Sequence, residues 1–189
     1  MLQFEQFAFA SPPRMGIGWF LKSLEESKVV EDFRFENWQE NWRAFVPADV
    51  DFKGFSISIV RHPYDWLESM FFSVGCRRRY DCRGLMYLVK LSQTVESFGE
   101  FVNHVARERQ GLIGEIFDSY RSSSVIRLED FPWAPIEFFQ SIGAKASDLK
   151  PLKTTPKTNH RIQYRPQDKK LKDLIVQSEE DFCNRYNYW

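Results

Sequence analysis

Twice within its first seventy or so residues the chain runs a short apolar segment into a proline-bearing break and from there into a helical pattern. In the first instance Phe4, Phe7 and Phe9 of "FEQFAFA" stop at Ser11-Pro12-Pro13, as a buried strand does before a loop. Beyond the break, Ile17, Phe20, Leu21 and Leu24 fall at helical spacing. In the second, Phe55, Ile57 and Ile59 alternate with Ser56 and Ser58, "RHP" ends the strand, and Pro63 opens a segment that sets Trp66, Leu67, Met70 and Phe71 on one face. Proline is tolerated there because the amides of a helix's first turn have no intrahelical partner to lose. Strands that alternate with helices in this way predict a parallel sheet with helices packed on both of its faces.

The rest of the chain fits that alternation. The aromatic, acid-rich stretch "VVEDFRFENWQENWRAFVPADVDF" has little periodicity and is read as loop with a short strand at residues 33 to 35. Helical patterns follow at residues 85 to 92 and 97 to 119, the second capped by Ser97 with Glu100 three residues on. "SSVIRLEDF" reads as a third strand, "PWAPIEFFQSIG" as a short helix closed by Gly143, and "DKKLKDLIVQSEEDFCNRYNYW" as one C-terminal amphipathic helix. With 189 residues, 43% of them hydrophobic, the chain can bury one sizeable core. The expected fold is therefore a single α/β domain over residues 1–189, with a short parallel sheet flanked by helices.

Charge and cysteine usage narrow the partners. Twenty-six basic residues balance twenty-six acidic ones, so no global field points to nucleic acid or to a membrane surface, and an anion site has to be local. The three cysteines, Cys76, Cys82 and Cys183, lack a C-x-x-C spacing. Cys76 and Cys82 can pair across "RRRYD", with reduced thiols the simpler expectation. No basic start with an apolar stretch behind it opens the chain, and nowhere are there the roughly 18 apolar residues a membrane helix needs. A soluble cytoplasmic protein is expected.

In a parallel sheet, ligands bind beyond the carboxyl ends of the strands, where both breaks fall. At "SPPRMGIG", Gly16 and Gly18 permit close backbone approach, the following helix start supplies unpaired amides, and Arg14 adds a planar cation. That set suits a phosphate or sulfate; the same residues also make an ordinary Pro-Gly turn with a surface arginine. The common nucleotide loop, G-x-x-x-x-G-K-[ST], is missing its Lys and its magnesium-holding hydroxyl, which disfavours magnesium-dependent phosphoryl transfer. At the second break Arg61 ends the strand and Ser69 lies two turns along the helix, so a guanidinium and a hydroxyl can grip one phosphate. Alternatively, Arg61 braces Asp65 at the helix start and Ser69 only packs.

Together the two segments resemble the sulfotransferase family. There a strand-loop-helix similar to "YPKSGTTW" binds the 5′-phosphosulfate of 3′-phosphoadenosine 5′-phosphosulfate (PAPS). "PPRMGIGW" stands in its place here, with Pro13, Gly16 and Trp19 matching and Arg14 where many members have Lys. The family's 3′-phosphate motif, Arg followed by x-P and by Ser eight residues after the Arg, is matched by Arg61, Pro63 and Ser69 of "RHPYDWLES". "VIRLEDF" is similar to the family's "vlryEDl" strand, and "EEDFCNRYNY" to its closing helix and "rYgY" ending.

The resemblance implies a P-loop NTPase-like architecture and transfer of a sulfuryl group from PAPS to a hydroxyl or amine on a small-molecule or glycan acceptor, without a metal. It implies that Pro13, Arg14 and the backbone of Met15, Gly16, Ile17 and Gly18 hold the transferring group, and that Arg61 and Ser69 hold the 3′-phosphate. Met15, Ile17 and Gly18 replace the small and hydroxyl residues usual in the first loop, and the late "RKGxxGDW" segment is absent. In its approximate place stands the basic "KPLKTTPKTNHRIQYRPQDKK", either a solvated loop or a lid with Arg161 its most central cation. For the catalytic base, Glu36 falls where heparan-type members carry a carboxylate and is favoured over His160. His62 is trapped inside the phosphate motif and His104 lies mid-helix. The rivals are a protein of the same fold that binds nucleotide without turnover, and a P-loop nucleotide kinase.

Overall fold

The protein is described from a computed structural model covering residues 2–3, 7–9, 11–16, 55–72, 83–120, 122–131, 133–141 and 168–189. It is mixed α/β. Strands β1 (Leu2–Gln3), β2 (Phe7–Phe9), β3 (Phe55–Val60) and β4 (Ser124–Arg127) form one sheet in the order β1-β2-β3-β4. β2 and β3 pair in parallel with Phe9 opposite Ile57, and β3 and β4 in parallel with Val60 opposite Arg127. β1 turns back antiparallel on β2, with Leu2 opposite Phe9. That edge pairing is absent from the sequence expectation, because two residues are too few to show a period.

β3 is the strand with parallel neighbours on both sides, and its burial shows it. Ile57 and Ile59 are inaccessible, and Ser58 on the opposite face is buried too, which a sheet covered on one side only would leave wet. Helix α1 (Pro63–Phe71) leaves β3 after two residues and buries Trp66, Leu67 and Met70, as its spacing predicts. Helices α2 (Arg83–Thr94), α3 (Phe98–Glu108) and α4 (Leu112–Asp118) then lead to β4. A 3₁₀ turn (Leu128–Asp130) and helix α5 (Trp133–Ser141) follow β4, and α6 (Lys169–Ser178) and α7 (Glu180–Tyr186) end the chain. α6 packs on both α1 and α3, so the C-terminal part of the chain closes over the helix that leaves the central strand.

Two expected helices are each broken. The pattern over residues 97 to 119 starts as expected, with Ser97 and Glu100 completing a reciprocal capping box, but it divides at Gly111, whose φ of +75° ends any continuous α-helix. The C-terminal pattern divides at Glu179, which leaves the helical basin (φ −117°, ψ 35°). Its carboxylate is buried and accepts the Ile113 and Gly114 amides at 3.0 and 3.1 Å, while the Gly111 amide donates to the Ser178 carbonyl at 2.9 Å. The orphan amides at the start of α4 thus take their acceptors from the α6–α7 elbow, and each break completes the other.

Helix α2 approaches α4 through Gly84, where an added Cβ would lie 2.6 Å from Ile116 Cγ1. Gly84→Ala should therefore destabilise the protein by about 1–3 kcal/mol through overpacking. The better helix propensity of alanine alone would stabilise it by about 1 kcal/mol. Chemical denaturation that finds the variant more stable than the parent by about 1 kcal/mol would show that the two helices can part at no cost.

Candidate functional site

The loop beyond β2 is held from three directions. Ser11 Oγ donates to the Ile59 carbonyl at 2.8 Å and accepts from the Ile59 amide at 3.3 Å, so the loop continues the sheet pairing with a side chain after β2 has ended. The Trp66 indole Nε1 donates to the Pro13 carbonyl at 2.9 Å and ties the loop to α1. Met15 is inaccessible and anchors the loop in the core. Between these anchors Arg14 adopts φ +69°, and Gly16, just after the last of them, φ +76°. Left-handed backbone costs a non-glycine residue about 1–2 kcal/mol, and here the anchors on either side impose it. Gly16 has a second reason to lack a side chain, because a Cβ there would stand 2.9 Å from Leu128 Cδ1.

Held this way, Arg14 crosses to the second motif. Its Nε donates to Ser69 Oγ at 3.2 Å, a contact between residues 55 apart in sequence. Ser69 is buried; its hydroxyl accepts from Arg14 and, among the described residues, donates to nothing. Arg61 is half-buried at the end of β3, and its side chain forms no hydrogen bond or ion pair among the described residues. It makes no brace with Asp65 and acts on that carboxyl only through its field. Burial raises the Asp65 pKa, and Arg61, then Lys172, oppose the rise.

His62 caps α1. Its Nδ1 accepts the Tyr64 amide at 3.2 Å, its carbonyl accepts the Trp66 amide at 3.0 Å, and Pro63 follows at the first helical position. Its own amide donates to Glu129 Oε1 at 2.8 Å, and Glu129 Oε2 accepts the Tyr188 hydroxyl at 2.8 Å. Arg127, at the end of β4, lies with its guanidinium 4.8 Å from the centre of the Tyr188 ring and 3.6 Å from Asp130. Burial lowers the His62 pKa to about 4; Lys172, Arg61 and Arg127 push the same way and Glu129 opposes them. A neutral imidazole that accepts at Nδ1 carries its proton on Nε2, which is buried without a hydrogen-bond partner among the described residues.

Of the residues singled out in the sequence, Pro13, Arg14, Met15, Gly16, Arg61 and Ser69 lie along the carboxyl ends of β2 and β3. Arg14 and Ser69 touch there, Pro13 holds α1 through its carbonyl, and the Met15 side chain belongs to the core. Ile17, Gly18, the helix after them, Glu36, the strand at residues 33 to 35, Cys76, Cys82, Gly143, His160 and Arg161 lie outside the described residues. Lys169 and Lys170, which close the basic segment and also begin the expected C-terminal helix, open α6 behind the Asp168 cap. His104 is exposed and pairs with Glu108 at 2.9 Å. Cys183 is buried as a thiol, its pKa pushed up to about 11 by burial and then by Glu179. Glu129 and Tyr188 escaped notice as functional candidates; "VIRLEDF" and "RYNY" carry the family resemblance at these positions without indicating that they meet.

Comparison of the chain with protein-family models, with curated proteins and with solved structures finds no match. Among the described residues no three His, Cys, Asp or Glu side chains are grouped so as to hold a metal ion, and no helix is long and apolar enough to cross a membrane.

The buried cap gives the site a signature in acid. The folded protein holds His62 neutral down to about pH 4, whereas the unfolded chain protonates it near 6.5. The unfolded state therefore binds the extra proton first, and stability is lost as pH falls from 6.5 through 4. Glu179, raised by burial to about 7 from 4.5, contributes the opposite slope, with stability lost as pH rises through that window. The informative quantity is then the difference from His62→Asn, which keeps a capping acceptor and does not titrate. Relative to this variant the parent should lose stability on acidification between pH 6.5 and 4, by at most about 1.4 kcal/mol per pH unit. Parallel denaturation curves across that range would show that the imidazole is not held neutral.

Proposed function

We propose that this chain is a sulfotransferase of P-loop-like architecture that transfers a sulfuryl group from PAPS to a hydroxyl or amine acceptor. The observation that carries the proposal is the 3.2 Å contact between Arg14 Nε and Ser69 Oγ, which joins the two segments whose sequences resemble the family's phosphosulfate and 3′-phosphate motifs. The residues fit a nucleotide with phosphate at both ends. Arg61 has no anionic partner among the described residues, and the Ser69 proton has no acceptor among them.

When bound, PAPS supplies a sulfuryl group on a phosphate leaving group. Arg14 would face the charge that grows on that phosphate, as a cation preorganised by its fixed backbone. Arg61 and the Ser69 O–H would hold the 3′-phosphate through charge-assisted bonds of about 1.5–3 kcal/mol each. Ser69 receives the Arg14 N–H and presents its own proton, so the two phosphate positions would share one hydroxyl as a common wall. On sequence grounds Glu36 is assigned the acceptor's proton and Arg161 the closing cation. A second reading is supported by Met15: with that side chain in the core and no hydroxyl beside it, the loop would bind nucleotide without turning it over.

Titration calorimetry with 3′-phosphoadenosine 5′-phosphate and AMP tests the binding half, and labelled PAPS with a panel of acceptors tests transfer. The parent should prefer the 3′-phosphorylated nucleotide by roughly 10²–10³ at matched ionic strength. Arg61→Ala should erase most of that preference and leave AMP affinity nearly unchanged. Arg14→Ala should lower turnover on the order of 100-fold, with Arg14→Lys keeping part of the rate. Binding should also survive excess EDTA; binding that collapses on chelation and returns with magnesium supports the kinase instead. Equal affinity of the parent for the two nucleotides would remove the sulfotransferase proposal, and preference without transfer to any acceptor would leave the binding protein.

A further inference from the structure

The penultimate residue of the chain reaches the end of the sheet where the proposed nucleotide site lies. Asn187 turns the backbone out of α7 with φ +56°, and the Tyr188 amide bonds back to the Cys183 carbonyl at 2.9 Å. The turn buries the Tyr188 ring at 3% exposure, stacked on Phe182 with centroids 6.0 Å apart. Around that ring stand residues from two different strand ends. Its hydroxyl donates to Glu129 Oε2, the Arg127 guanidinium lies over its face, and the His62 ring meets it edge-on at 5.5 Å. Two of the three buried polar atoms without a hydrogen-bond partner among the described residues, His62 Nε2 and Arg127 Nε, belong to side chains that touch this ring. Both side chains pack on the ring, and Arg127 Nε also lies 3.6 Å from Asp130 Oδ2.

We propose that Tyr188 is a positioning residue for the 3′-phosphate end of the site, acting through Glu129 on the backbone of His62 and so on where Arg61 stands. One carboxylate makes the link, with Oε2 fixed by Tyr188 and Oε1 holding the His62 amide. Arg61 is the residue before that amide, at the point where the chain leaves β3 for α1. Burial and the neighbouring carboxylate raise the Tyr188 pKa, so the phenol remains a donor throughout the working range of pH. The link requires an acceptor at Oε1 and does not require a charge there. Glu129→Gln can keep it, with the amide oxygen on the His62 N–H and the amide nitrogen donating to the Tyr188 oxygen, whereas Glu129→Ala cannot.

The proposal rests on the nucleotide reading above, and the experiment separates the two. Tyr188→Phe keeps the ring and its contacts and removes one hydroxyl. It should weaken binding of 3′-phosphoadenosine 5′-phosphate about five- to tenfold, the size of one hydrogen bond, with AMP affinity changed less than about twofold. In the ligand-free protein the His62 amide should exchange its hydrogen faster in Tyr188→Phe and in Glu129→Ala, and at the parental rate in Glu129→Gln. The double variant Tyr188→Phe/Glu129→Ala should bind no worse than Glu129→Ala alone, because both break the same link. A merely structural tyrosine would lower thermal stability and weaken both nucleotides alike, which overturns the proposal; so does an additive double variant. If the parent binds the two nucleotides equally, the function reading fails, and the positioning link is then decided by exchange. An unchanged His62 rate in Tyr188→Phe overturns it.

Discussion

The indole of Trp66 donates to the carbonyl of Pro13, and the geometry of the site depends on that bond more than on any other. Trp66 is inaccessible and packs edge-on against Phe117 of α4, so its nitrogen has one direction in which to point. An unpaired buried N–H costs about 1–3 kcal/mol, which sets the position of the loop against α1 in energetic terms. From that point the loop has little freedom. Ser11 is zipped to β3 on one side and Met15 is sunk in the core on the other, so Arg14 between them takes up the left-handed turn. Its reach to Ser69 follows, because Ser69 lies three residues along α1 from the same indole.

How much of this was legible depended on the range over which each feature is determined. β3, α1 and the Ser97 capping box are written locally, in alternation, in a proline at the first turn and in a Ser–Glu pair, and all three appear where the sequence put them. The breaks at Gly111 and Glu179 were not legible, since periodicity continues through both. Glu179 leaves the helix because the amides of α4 need an acceptor, and nothing in the local sequence connects residues 65 and 66 apart. The two breaks form one tertiary interaction, and a residue-by-residue reading had to miss both or find both.

The candidate site divides along the same line. Arg14, Arg61 and Ser69 were singled out from the sequence as two guanidiniums at strand ends and a hydroxyl two turns along a helix, and the structure brings Arg14 and Ser69 into contact. Gly16 was read as permitting close backbone approach; the structure gives it a positive φ and sets Leu128, from beyond β4, where a Cβ would stand, and neither reason is written locally. Glu129 and Tyr188 were illegible as a pair for the reason that Glu179 was. A carboxylate that serves an amide 67 residues before it and a phenol 59 residues after it has no sequence signature.

The electrostatics of this end of the sheet follow from who satisfies the start of α1. A helix N-terminus attracts an anion, and here Glu129 already supplies one to the His62 amide, while His62 itself serves the Tyr64 amide as a neutral acceptor. The backbone donors beside Arg61 are thus spoken for by the protein, and a ligand at this position has to be recognised by side chains. Around His62 stand Arg61, Arg127 and Lys172, whose fields all disfavour its protonation, against the single opposing carboxylate of Glu129. Those cations are themselves answered by carboxylates farther out: Asp65 lies in the field of Arg61 and Lys172, and Asp130 lies 3.6 Å from Arg127. Arg127 has Asp130 beside it, whereas the Arg61 side chain forms no hydrogen bond or ion pair among the described residues, so an added anion at this strand end meets a guanidinium that Asp65 reaches only through its field.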